Sequence, residues 1–96
     1  MDKKAYVVGH ISVKDEALWA EYRARVPDTL APWRAELVCR GHRVAVWAGE
    51  GPHSDLVVIR FENVEAASAW FHSAAYQALI PLRQQAADVV LVCYEE

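Results

Sequence analysis

Residues 5–13, AYVVGHISV, are rich in β-branched and aromatic side chains, and the polar Lys14-Asp15 step ends the run. This predicts a first β-strand with two fairly apolar faces. From Asp15 the period lengthens: Leu18, Trp19, Tyr22, Val26, Leu30 and Trp33 recur at three and four residues, the stripe of an amphipathic helix with Asp15 as its N-cap. Pro27 has no amide hydrogen to donate, so a kink or restart is expected there. AELVCR at 35–40 predicts a second strand, turning at Gly41-His42 into a hairpin extension, VAVWAG at 44–49. EGPHS at 50–54 is aperiodic and predicts an exposed loop. DLVVIRFE at 55–62 is the clearest strand in the chain. Asn63 then caps a short helix over 64–72, and Ser73 caps a second helical segment carrying Tyr76, Leu79, Ile80 and Arg83. Pro81 bends that segment, and DVVLVCY at 88–94 forms the last strand.

The order β-α-β-β-α-β, joined by short right-handed connections, points to the α+β class. The architecture expected is a ferredoxin-like sandwich with antiparallel sheet order 4-1-3-2 and a small hairpin extension. Two helices cover only one face of such a sheet. Val57, Ile59 and Phe61 nevertheless face Leu56, Val58 and Arg60 across the third strand, and Val89, Leu91 and Cys93 face Val90, Val92 and Tyr94 across the last. Neither side reads as solvated, so a second copy is expected on the open face, sheet against sheet, as a two-fold homodimer.

Composition sharpens this picture. Ninety-six residues and 10.8 kDa fit one domain over 1–96. Area scaling gives about 15,700 Å² unfolded and about 5,500 Å² folded, enough for a core with little to spare. Against that, 54% of the residues are hydrophobic and 24% charged, more apolar surface than a small monomer easily hides. A net charge of −3 and a pI near 5.8 lack the basic footprint of a nucleic-acid partner. Two cysteines and an opening MDKKAYVVGHISV, too short and polar for an export segment, lead us to expect a reducing cytoplasm and no membrane partner.

The Val26-Pro27 step, LVCRG at 37–41, VVIRFENVEAASAW at 57–70, SAAYQALIPLR at 73–83 and the closing DVVLV carry a resemblance. Together, from about Ala5 to Tyr94, they resemble the domain of unknown function 1330 family, of the dimeric α/β barrel superfamily. Ser73, Tyr76, Gln77 and Arg83 at their spacing are its most specific part. The resemblance implies a ferredoxin-like dimer. Its wider superfamily includes cofactor-free monooxygenases, lactone isomerases and stress-responsive proteins without known catalysis, so fold alone does not select among them. Three positions depart from the family pattern: Trp33-Arg34-Ala35 stands where a glycine pair is usual, His42 replaces a second glycine, and Arg60 replaces an acid of the third strand.

Several side chains can carry chemistry. Arg83 lies seven residues after Tyr76 on one helix face, where its guanidinium fork can clamp a small anion while Tyr76 donates a hydrogen bond. The structural alternative is an ion pair or a helix-ending contact. His10 shares a strand face with Tyr6, Val8 and Ser12 and can serve as a proton carrier near neutral pH, or sit hydrogen-bonded at a dimer seam. Arg60 and Arg40 can join it in a polar cluster. Trp70, Phe71, His72 and Trp47 can line a pocket for an aromatic molecule, or be core. His10, His42, His53 and His72 lack metal-ligand spacing, and the strand order puts Cys39 and Cys93 on opposite sheet edges, against a disulfide within one subunit. The chain has no phosphate-binding glycine loop, nucleophile elbow or paired-carboxylate motif, so no cofactor and no metal are expected.

Two functions therefore stand side by side. One is a dimer binding a small anionic or aromatic molecule in a cavity between sheet and helices, with Arg83, Tyr76, Arg60, Trp70 and His72 as ligand contacts. The other is a cofactor-independent monooxygenase- or isomerase-like enzyme, with His10 moving the proton and Arg83 holding the anion. A carboxylate partner for Arg83 would favour a purely structural role.

Overall fold

A computed structural model describes residues 3–96. Four strands, β1 (Ala5–Val13), β2 (Glu36–His42), β3 (Asp55–Phe61) and β4 (Ala87–Glu95), form one antiparallel sheet in the order β2-β3-β1-β4. This is the expected order read from the other edge. The helices are α1 (Glu16–Leu30), α2 (Val64–His72), α3 (Ala74–Gln77) and α4 (Ile80–Ala86), with a 3₁₀ turn at Ala31–Trp33 after α1. No described helix is long and apolar enough to cross a membrane.

Side-chain caps set the helix starts. Asp15 accepts from the Leu18 amide at 3.0 Å, Asn63 from Ala66 at 2.8 Å and Ser73 from Tyr76 at 3.2 Å. Each satisfies an amide that the first helical turn leaves unpaired. The helix stripe falls as its period predicts, with Trp19, Tyr22, Val26 and Leu30 buried against the sheet. In β1 the residues Ala5, Val7, Gly9 and Ile11 face the helices, while Tyr6, Val8, His10 and Ser12 face away and stay half-exposed. One face of the sheet thus holds the core, built with Ile59, Phe61, Trp70, Tyr76 and Leu79.

Four expectations need correction. The helix does not restart at Pro27: α1 runs through it, and the Ala31 amide reaches back to the Pro27 carbonyl. The segment after Ser73 is not one bent helix but two, because Pro81, lacking a donor, takes a place in the first turn of α4 where none is needed. The hairpin extension at 44–49 does not form. The Arg43 amide bonds the Ser54 carbonyl at 2.7 Å and its guanidinium reaches Gly51, closing 43–54 into a loop with Trp47 97% exposed. A strand there finds no partner among the described residues, so alternation alone cannot make one.

The fourth correction concerns register. Leu37 pairs with Ile59 but Cys39 with Val58, so Val38 is an extra residue, a β-bulge. A bulge reverses the alternation beyond it. Arg40, opposite Val57, therefore faces the helices, while Arg60, opposite Tyr6, faces away. The expected cluster of Arg40 with Arg60 and His10 is split by this one residue.

Arg34, where a glycine is expected from the resemblance, adopts φ +53°, in the left-handed region. A side chain there costs roughly 1–2 kcal/mol, against about 0.5–1 kcal/mol for the extra freedom glycine loses on folding. Its ion pair with Glu62 is long, 3.8 Å, and exposed. Arg34→Gly is therefore expected to stabilise the chain by about 0.5–1 kcal/mol. Equilibrium urea unfolding that shows a lowered midpoint would count against this account. His42, at the other replaced glycine, lies at negative φ and needs none.

Candidate functional site

Under the helices the aromatic residues form one connected wall. The Trp70 ring lies 4.3 Å from Tyr76 and 5.5 Å from Phe61 between centroids, and Phe71 lies 5.6 Å from Tyr76. The Trp70 indole donates to Thr29 Oγ1 at 3.0 Å, and that hydroxyl passes its own hydrogen to the Val26 carbonyl at 2.7 Å. The helix spacing of Ala67, Trp70 and Phe71 brings this wall to the β4 side of the sheet. There it bounds a cavity of about 260 Å³, lined chiefly by Val7, Val64, Ala67, Trp70, Phe71 and Leu91, with Ser68 and His72 as its polar side chains. His72 turns Nδ1 to the Ser68 carbonyl at 2.9 Å.

Arg83 and Tyr76 do meet. Arg83 Nη1 donates to Tyr76 Oη at 2.9 Å, and the Tyr76 and Tyr22 hydroxyls share a further bond of 2.8 Å. The chain of three ties α4, α3 and α1 together. Burial, aided by the neighbouring Tyr76, pushes the Tyr22 hydroxyl far above its ordinary pKa, so it stays protonated. Arg83 has no carboxylate partner among the described residues; the phenol takes that place. Tyr76 is 0% exposed, so its hydroxyl serves the network. The half-buried Arg83 opens instead onto a surface depression with His53, Gln84 and Asp88.

The other sequence-predicted residues lie apart from this set. His10 is on the open face of β1, across the sheet from Tyr76, and it borders a shallow hollow with His42, Arg43, His53 and Asp55. Arg60 forms an ion pair with Glu36 on the neighbouring strand, which holds its guanidinium above the ordinary arginine value. Trp47 lies outside the aromatic wall. The structure therefore brings together Arg83 with Tyr76, and Trp70 with His72, but not His10 with either.

Two features escaped sequence reasoning. Ser12 Oγ lies 2.9 Å from His53 Nδ1, a contact made by the closed 43–54 loop. Arg23 and Arg40 line one cleft between α1 and the sheet, a proximity created by the Val38 bulge. Cys39 and Cys93 sit exposed and unpaired on the opposite edge strands.

A four-stranded antiparallel sheet with helices packed on one face and an aromatic wall between them defines a ferredoxin-like α+β protein. The chain belongs to the domain of unknown function 1330 family, whose model matches residues 4–96. Among solved structures it is similar to a protein of unknown function from Rhodopseudomonas palustris, with TM-score 0.82, 12% identity, and 100% of this chain and 84% of that one covered. It is also similar to SnoaB, a cofactor-independent oxygenase from Streptomyces nogalater, with TM-score 0.70, 10% identity, and 96% and 91% covered. A third is a dimeric protein of unknown function with a ferredoxin-like fold from Bacteroides fragilis, with TM-score 0.67, 12% identity, and 97% and 96% covered. At these identities the likeness is one of fold. Among curated proteins, none matches the chain in sequence.

Proposed function

We propose that the protein binds a small aromatic molecule in the cavity between α2 and the sheet, and does so as a two-fold homodimer joined through the open sheet face. The cavity wall carries the ligand reading: a concave apolar surface of about 260 Å³ backed by Trp70 and Phe71, with Ser68 and His72 as the few polar groups. Sites for small molecules have this make-up, apolar walls for affinity and one or two polar groups for orientation. Trp70 and His72 are the contacts. Arg83 and Tyr76 act one step back, because the Arg83–Tyr76 bond fixes the ring that packs on Trp70. Arg60 and His10 belong to the open face and its dimer seam.

The test uses 1-naphthol as probe, followed by amide and indole signals in two-dimensional NMR. Shifts confined to Trp70, Phe71, Ala67 and Leu91 are expected. Ser68 is exposed at the mouth of the cavity, so Ser68→Phe plugs it from outside the core. That variant is expected to weaken binding at least tenfold while unfolding at the wild-type urea concentration. Equal affinity in the variant, or shifts scattered over the open face, sinks the assignment.

A further inference from the structure

The opposite side of the helix layer holds a second, different cleft. It lies between α1 and β1, β3 and β2, and it encloses about 300 Å³. Its apolar lining includes Ile11 and Val57 from the sheet and Trp19 from α1, whose ring stacks on Tyr22 at 5.1 Å and 21°. Its rim carries two guanidinium groups, Arg23 from α1 and Arg40 from β2.

Neither arginine has a carboxylate partner among the described residues. Loss of water and the repulsion of Arg23 both pull Arg40 below its ordinary pKa. Two like charges on one rim are an arrangement that a folded chain gains nothing from by itself. The one acid of the cleft, Asp55, is hydrogen-bonded at 2.7 Å to His42 Nδ1. That contact engages Asp55 with His42, and the two guanidinium groups are left to an anion from outside the chain.

We propose that this cleft is a binding site for a small monocarboxylate with a hydrocarbon body, the carboxylate held between Arg23 and Arg40 and the body on Ile11, Val57 and Trp19. The fork geometry of guanidinium suits a carboxylate in two-point contact. The apolar floor favours a body over a bare ion, which separates a carboxylic acid from inorganic phosphate. The site is independent of the aromatic cavity, since the two share no lining residue.

Sodium benzoate, its neutral isostere benzamide and inorganic phosphate are titrated into the full chain, with NMR observation of the Trp19 indole and the arginine side-chain Nε–H signals. Benzoate is expected to shift Trp19, Arg23 and Arg40, with benzamide at least tenfold weaker. Phosphate is expected to move only the arginine signals, and more weakly. Arg40→Gln and Arg23→Gln are each expected to weaken benzoate binding at least tenfold. Arg25→Gln, which removes a cation of the same helix already paired with Glu21, leaves it unchanged. Because each Gln variant also removes repulsion, it is expected to unfold at no lower urea concentration than the parent protein. Benzamide binding as tightly as benzoate, phosphate matching benzoate, or benzoate binding surviving Arg40→Gln each overturns the proposal. Benzoate binding that instead shifts Trp70 and is abolished by Ser68→Phe assigns the acid to the aromatic cavity and overturns this site while supporting that one.

Discussion

Trp70→Ala is expected to destabilise the fold by about 3–5 kcal/mol, the range for deleting a fully buried aromatic side chain. Trp70 is 1% exposed and is among the largest fully buried side chains. Its ring touches Phe61 and Tyr76, and its indole donates a hydrogen bond to Thr29 Oγ1. Small domains are stable by roughly 5–15 kcal/mol, so the loss leaves little margin. For a chain of this size each 1 kcal/mol moves the melting temperature by about 4–8 °C, so a fall of roughly 12–40 °C is expected by calorimetry. Trp70→Phe separates the two contributions. It keeps most of the packing and removes the N–H donor, and is expected to cost about 1–2 kcal/mol, near the worth of one hydrogen bond with some lost volume. A Trp70→Ala protein that melts within a few degrees of the parent would mean that the wall rearranges around the hole, and with it the cavity assigned to ligand.

The same wall shows what was readable in the chain. The recurrence of Trp19, Tyr22, Val26 and Leu30, the capping residues Asp15, Asn63 and Ser73, and the apolar run of β3 are local signals, and each element they predict is present. Their order then leaves few ways to connect a sheet, so the strand order was legible too. Pairing partners were not. Whether 44–49 becomes a strand depends on a neighbour elsewhere, and the Arg43 contacts that close the loop are invisible to alternation. Val38 looks like any strand residue, yet as a bulge it moves Arg40 from one side of the sheet to the other. The candidate site divided in the same way. Arg83 with Tyr76 follows from helix spacing within one short segment, whereas Arg23 with Arg40 joins a helix to an edge strand across a register shift. The alternative reading as an enzyme places His10 near Arg83, and the two-residue alternation of β1 turns His10 to the open face instead.

That open face carries the second large effect expected: Val58→Asp should convert the proposed homodimer into monomer. Reading the registers across the sheet, Cys39, Val58, Val8 and Val92 form one row on this face. The flanking rows are mixed, Glu36, Arg60, Tyr6 and Tyr94 on one side and Gly41, Leu56, His10 and Val90 on the other. An apolar centre with a polar border is the make-up of a protein–protein interface. Val58 lies in the central row, so a carboxylate there is buried without a partner when a second copy covers the sheet. Leaving a charge unpaired in such a place costs about 3–5 kcal/mol, which raises the dimer dissociation constant roughly 100- to 5,000-fold. The core on the helix side is untouched, so the monomer is expected to keep the far-ultraviolet circular dichroism of the parent. The pH dependence has a definite sign. An aspartate exposed in the monomer titrates near pH 3.9, and burial in the dimer raises that value, so dimer formation takes up protons and strengthens as the pH falls. Sedimentation velocity at pH 7.5 should show the variant as monomer, with partial return to dimer near pH 5. A variant that sediments as a dimer at pH 7.5 with the affinity of the parent places the seam elsewhere, and the apolar row of Cys39, Val58, Val8 and Val92 then needs another explanation.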